Sequence, residues 1–125
     1  METIYGYAGK IARINLTDST VTDVPITNYV PKYVGGRSVA NRIFWEEVGP
    51  EVKAFDPENK LIYMTGPTTA TGIPSGGRTV FTGLSPKTLP EQYTWSGMGG
   101  WFGSELKFAG YDGLIIEGKA KEPTY

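Results

Sequence analysis

Two stretches of small and hydroxylated residues carry most of the chemistry available to this sequence. The first, Gly66-Pro67-Thr68-Thr69-Ala70-Thr71-Gly72-Ile73-Pro74-Ser75-Gly76-Gly77-Arg78, ends in an arginine where a strand is predicted to begin. The second, Ser96-Gly97-Met98-Gly99-Gly100-Trp101-Phe102-Gly103, leads into the start of a short predicted helix. Glycine lets backbone N–H and C=O groups approach a ligand closely, a helix start favours anions, and arginine grips phosphate in a two-pronged fork. Brought together, the two stretches would form an anion cradle, although the same compositions also serve as plain turns. Neither carries the Gly-Lys-Ser/Thr ending of a P-loop, and neither forms a Gly-x-Gly-x-x-Gly after a strand, so ATP and dinucleotide sites are disfavoured.

Other candidates have less support from spacing. Glu46 and Glu47 fall near the end of a predicted helix and read as a solvated face. Trp45, Trp95 and Trp101 have the surface to line a pocket, but aromatic side chains more commonly pack inside. Glu91, Glu105 and Asp112 are available as acid or base, without a paired partner at an informative spacing.

The elements that must position these residues follow from periodicity and punctuation. Gly9 to Thr17 alternates, with Ala12, Ile14 and Leu16 on one face and Arg13 and Asn15 on the other, which predicts a half-buried strand. Asp18-Ser19 supplies a turn into Thr20 to Val24, a second alternating run, so the pair reads as a hairpin. Val39, Ala40, Ile43, Phe44 and Val48 share one helical face over Ser38 to Val48, preceded by Gly35-Gly36 and stopped by Gly49-Pro50. Lys60–Thr65, Thr79–Gly83 and Gly113–Glu117 are short apolar runs that suit buried strands. Ser104 is placed to cap a short helix through Phe108, ended by Ala109-Gly110. Five or six strands against two short helices, without strict βαβ alternation, predict an α+β fold built on a β-rich mixed or antiparallel sheet.

Composition sets outer limits on function. The chain has 125 residues, one domain's worth, and no cysteine or histidine. Thiolate and imidazole metal sites, cysteine-ligated iron–sulfur clusters and serine–histidine or cysteine–histidine catalysis therefore lie outside its own side chains. With 12 Lys plus Arg against 13 Asp plus Glu, it lacks the long-range positive field that draws nucleic acid or an anionic membrane. Its 17 glycines and 9 prolines amount to about a fifth of the residues, yet 39% are apolar and 13% aromatic, enough to fold. The first residues show neither a basic nor an apolar targeting region, and no apolar stretch has the length of a bilayer, so a cytoplasmic protein is expected. The chain stops at Lys119–Tyr125 just after a predicted strand, which leads us to expect residues 1–125 to be a single, truncated domain.

Read in order, several blocks resemble one family. They are Tyr5-Gly6-Tyr7-Ala8-Gly9-Lys10-Ile11, Gly35-Gly36-Arg37, Pro57-Glu58-Asn59-Lys60-Leu61-Ile62, Gly66-Pro67-Thr68-Thr69-Ala70-Thr71-Gly72, Gly76-Gly77-Arg78, and the run from Gly99 to Asp112 containing Glu105-Leu106-Lys107-Phe108-Ala109-Gly110-Tyr111-Asp112. Together they resemble the N-terminal domain of the tungsten-containing aldehyde:ferredoxin oxidoreductases. The resemblance implies a β-rich base for a tungsten (or molybdenum) bis-pterin cofactor. The enzymes it points to are about five times as long, oxidise aldehydes to carboxylates with water as oxygen source, and pass electrons to ferredoxin. It also implies that the iron–sulfur cluster and the acid/base residues lie in other domains or a separate subunit, so the isolated chain is expected to be inactive.

Carried over by position, the resemblance assigns pterin contact to Arg78, Gly99 and Gly100. A family asparagine near a magnesium that bridges the two pterin phosphates falls on Gly97. A role through the backbone carbonyl survives that change, making the Gly97 carbonyl the candidate magnesium ligand, whereas a role through the amide side chain does not. Lys87 to Trp95 runs about two residues longer than the family pattern. The resemblance extends to an aromatic acyl-coenzyme A reductase subunit built on the same scaffold, and a non-enzymatic pterin-binding or partner-capping module is a further reading. An apolar surface left for docking other domains would also favour homo-oligomers.

Overall fold

In the computed structural model, described over residues 4–125, six strands form one mixed sheet flanked by two helices. The elements are β1 (Lys10–Asn15), β2 (Thr20–Pro25), a 3-10 turn (Ile26–Asn28), α1 (Gly36–Glu47), β3 (Leu61–Met64), β4 (Thr79–Ser85), β5 (Gln92–Met98), α2 (Phe102–Phe108) and β6 (Gly113–Glu117). Strand order is β2-β1-β6-β3-β4-β5, with β1 and β6 parallel and every other neighbour antiparallel. The α+β expectation holds.

α1 lies across one sheet face. Its Val39, Ala40 and Ile43 recur at helical spacing and pack with Ile11, Ile62, Met64 and Ile115 from the sheet and Ile26, Tyr29 and Val30 from the segment after β2. These positions corrected one expectation. On β1, Ile11 joins the core beneath the segment after β2, and Arg13 shares its face; of the predicted face, Ala12 is buried, while Ile14 and Leu16 are only half-buried. Arg13 tolerates that position because Glu47 of α1 takes its guanidinium at 2.6 and 2.8 Å and Glu117 of β6 takes it at 3.0 Å. Lys60 completes the group through Glu117 and, at 3.5 Å, Glu47. Glu47 is thus half-buried and ion-paired rather than solvated, since the helix end sits on two cations the helix pattern alone does not reveal.

Three further differences are local. Gln92–Met98, for which no strand is predicted, is strand β5, paired along its whole length with β4. α2 begins at Phe102, two residues before Ser104, with Trp101 at its start and no side-chain cap. The tryptophans are not interior: Trp45, Trp95 and Trp101 are 81%, 51% and 79% exposed. α2 covers one end of the second sheet face, where Tyr63 meets Phe102 edge-on at 5.1 Å and Phe81 at 4.6 Å. The rest of that face is open, a depression of about 670 Å³ lined by Leu16, Phe55, Leu61, Phe81 and Ile116. Among the described residues no helix is long and apolar enough to cross a membrane.

Candidate functional site

The blocks singled out in the sequence converge at one end of the sheet, opposite the Arg13–Glu47 group. The starts of β1, β4 and β6 and the ends of β3 and β5 lie there, as do the starts of both helices. Thr65, just after β3, ties the end together. Its N–H and hydroxyl both donate to the Asp112 carbonyl, at 3.0 and 2.7 Å, while its own carbonyl accepts from Gly36 N–H at 2.8 Å. Pro67 is then wedged between two glycines: a β-carbon at Gly6 would stand 2.8 Å from the Pro67 carbonyl oxygen, and one at Gly35 3.1 Å from Pro67 Cδ. No larger residue fits either place without displacing the loop.

Asp112 closes the same end from below. It is 2% exposed and accepts from the N–H groups of Ala8 and Gly9 at 2.9 and 2.8 Å. The Lys107 ammonium lies 3.5 Å from it and donates to the Gly6 carbonyl. Burial pushes the Lys107 pKa below its ordinary 10.5, and the Asp112 charge opposes that shift. Asp112 is therefore a structural anchor for residues 6–9, with both carboxylate oxygens committed, and not a free acid or base.

On this base sit the predicted cradle residues. Arg78 ends the loop that begins at Gly66, and Thr69 shapes that loop by accepting from Gly66 N–H at 3.2 Å and donating to the Gly76 carbonyl at 3.3 Å. The Arg78 side chain is exposed and runs over β5, its Nη1 3.1 Å from the place a β-carbon on Gly97 would occupy. Gly97 therefore has an internal reason to be glycine. Gly77 faces the Gly100 carbonyl oxygen, 3.9 Å from its own missing β-carbon, so the two loops meet. Gly100 has φ +89°, a left-handed conformation that favours glycine. Gly99 differs from all of these: it has no positive φ, and a β-carbon there would meet nothing within 4 Å. Among the described residues neither a contact nor the backbone angle calls for glycine at 99, and its backbone is exposed.

The structure thus brings Arg78, Gly97 and Gly100 together and leaves Gly99 beside them, exposed. Glu91 is not part of this cluster: it accepts from Ala54 N–H at 2.7 Å, at the far end of the β4–β5 hairpin, while Glu105 lies in the first turn of α2. Among the described residues no three His, Cys, Asp or Glu side chains gather as a metal site. What the donor set offers is an arginine and backbone amides and carbonyls, which suits phosphoryl oxygens. Arg37 was not singled out as a site residue, yet its guanidinium carbon lies 4.5 Å from the Trp95 ring centre on the same strand. A signal existed: Gly-Gly-Arg occurs at 35–37 and again at 76–78.

The chain is similar to several known proteins. Residues 11–125 match the family described as aldehyde ferredoxin oxidoreductase, N-terminal domain. A tungsten-containing aldehyde ferredoxin oxidoreductase from Pyrococcus abyssi is 45% identical over 98% of this chain and 20% of its own length. An aliphatic sulfonate oxidoreductase, WOR-like subunit, from Pyrococcus furiosus is 39% identical over the same shares. Among solved structures, the active site complex BamBC of benzoyl coenzyme A reductase, in complex with 1,5-dienoyl-CoA, superposes with a TM-score of 0.89 at 35% identity, over 94% of this chain and 18% of that one. The chain spans about a fifth of the length of the curated relatives it matches.

Proposed function

The chain belongs to the aldehyde ferredoxin oxidoreductase family, whose N-terminal domain it matches, and from that premise we propose that it holds the phosphate ends of a tungsten bis-pterin cofactor. The observation that carries the reading is the glycine at 99, which no contact in the protein requires, beside an arginine whose head is free of carboxylate partners among the described residues. The bound cofactor would supply two-electron redox chemistry, in which an aldehyde and water become a carboxylate with release of two electrons and three protons, the electrons passing to ferredoxin.

In that chemistry the chain's own work is binding and orientation. Arg78 neutralises phosphoryl charge through a two-pronged contact. Gly99 and Gly100 would let the backbone reach the ligand, and the Gly97 carbonyl would offer an oxygen to a magnesium ion bound with the cofactor. Molybdenum is the alternative metal. Cysteines for an iron–sulfur cluster are absent from the sequence, so the cluster and the substrate channel belong to other domains or a separate subunit of a cytoplasmic assembly.

The substrate class depends on the regions of the relatives that this chain does not span. The likeness to the BamBC complex at a TM-score of 0.89 favours a second reading, the same scaffold serving an aromatic acyl-coenzyme A reductase. The test of the shared reading is Arg78→Ala in protein prepared without oxygen. We expect a marked loss of retained pterin and metal with thermal stability unchanged; full retention of both would overturn the assignment of Arg78.

A further inference from the structure

We propose that Arg37 is a second arginine of the same phosphoryl-anion site, held for that purpose by Trp95; the proposal rests on the reading of Arg78 as a phosphate-binding residue and extends it. Both arginines follow a Gly-Gly pair. Gly35 and Gly36 have φ +148° and +53°, and Gly36 N–H is fixed to the Thr65 carbonyl, so the turn delivers Arg37 to the first turn of α1 at the site end of the sheet. There its guanidinium stacks on Trp95, carbon to ring centre 4.5 Å.

Trp95 and Gly97 are alternate residues of β5, paired with Thr82 and Val80 of β4, so they face the same side of the strand. Their Cα atoms are about 7 Å apart by strand geometry. Arg37 lies over the first and Arg78 over the second. Two guanidinium groups are thereby set along one strand face, and neither makes an ion pair among the described residues. This contrasts with Arg13 and Arg42, each of which has a carboxylate. Two unpaired cations on one strand face repel, and an anion reaching both would offset the repulsion while taking hydrogen bonds from each. Stacking occupies the flat face of Arg37 and leaves its N–H edge free, the edge a phosphoryl oxygen uses. The interface between α1 and β5 does not itself need the charge: Phe44 packs edge-on to Tyr93 at 4.9 Å, and Asn41 meets the Tyr93 hydroxyl.

The ligand class is a phosphoryl dianion, whether a phosphate ester on a pterin or free phosphate. The full 125-residue chain is titrated with inorganic pyrophosphate at constant ionic strength, and in parallel with a phosphorylated oxidised pterin. We expect Arg37→Gln to weaken pyrophosphate about tenfold or more, as loss of a charged hydrogen bond should. Arg37→Lys should fall between, with unfolding midpoints unchanged in both. In the unmutated chain the Arg37 Nε–H resonance should move on adding pyrophosphate. An equal effect on the pterin phosphate assigns Arg37 to the cofactor; an effect on pyrophosphate alone supports the anion site and assigns it to free phosphate. If Arg78→Ala weakens binding and Arg37→Gln does not, or if the Arg37 resonance stays still, the second arginine is refuted and the reading of Arg78 survives. If the unmutated chain takes neither probe, both fall.

Discussion

The guanidinium of Arg78 lies along the backbone of Gly97, its Nη1 3.1 Å and its Cδ 3.4 Å from the point a β-carbon at residue 97 would occupy. Arg78 immediately precedes β4 and Gly97 lies near the end of the paired strand β5, so the hairpin of β4 and β5 fixes where the cation stands. This contact, with Gly77 facing the Gly100 carbonyl, is what brings the two Gly-rich stretches together.

Gly97→Ala should therefore move Arg78 rather than unfold the protein. The atom it meets is the far end of a flexible side chain, so the stability change should stay under about 1 kcal/mol. Pyrophosphate affinity should fall severalfold, because the fork no longer points where it did. Calorimetric titration beside a thermal melt checks both; undiminished affinity would show that the Gly97 contact does not aim Arg78.

Two glycines a turn apart should behave oppositely. At Gly103 a β-carbon would stand 2.5 Å from Thr79 Cγ2 and 3.2 Å from the buried Tyr63 hydroxyl, so Gly103→Ala must push α2 off the sheet. A cost of about 1–3 kcal/mol in denaturant unfolding is expected. Gly99→Ala meets nothing within 4 Å and should leave stability alone while lowering ligand retention. Equal stability losses for the two would mean that Gly99 is a structural glycine.

Much of the fold was legible in the sequence, and the misses share a cause. α1 was readable because Val39, Ala40 and Ile43 repeat at helical spacing, and β6 because Gly113–Glu117 is a bounded apolar run. β5 was missed because Ser96, Gly97 and Met98 read as loop, although Tyr93 and Trp95 carry strand character; only pairing with β4 makes the glycine tolerable. Glu47 and the buried side of β1 depend on where α1 and the segment after β2 land, which no single element states. Among the cradle residues, Arg78, Gly97, Gly99 and Gly100 were readable as residue types, but not the packing of Arg78 on Gly97 or the stack of Arg37 on Trp95. Those contacts join segments far apart in the chain.

The Arg13–Glu47 group should give the fold an acid-sensitive limb. Burial, the largest influence, pushes the Glu47 carboxyl up, but the hydrogen bonds and charge of Arg13, with Lys60, bring it net below its ordinary 4.5. The unfolded chain thus binds the proton first. Glu47 contributes stability fully above pH 4.5, and the contribution disappears as pH falls through the lower folded value. Glu47→Gln should cost about 1–3 kcal/mol at neutral pH and flatten that part of the stability profile. An unchanged slope between acidic and neutral pH would contradict it.

Asp112→Asn should be among the more damaging polar changes. It removes the charge facing Lys107, which is only 7% exposed, and weakens the hold on Ala8 and Gly9. A loss of about 3 kcal/mol is expected. Removing the stranded cation as well, in Asp112→Asn with Lys107→Met, should recover part of it. A double variant no better than the single one would show that the backbone bonds alone carry the effect.

The central claim is tested most directly by tungsten and pterin analysis of the protein purified without oxygen from its native host, together with the intact mass of every co-purifying chain. The account predicts tungsten with two pterins per copy of this sequence, accompanied by a cysteine-bearing polypeptide. Metal-free, pterin-free protein under conditions where a relative from the same cells keeps its cofactor would contradict it.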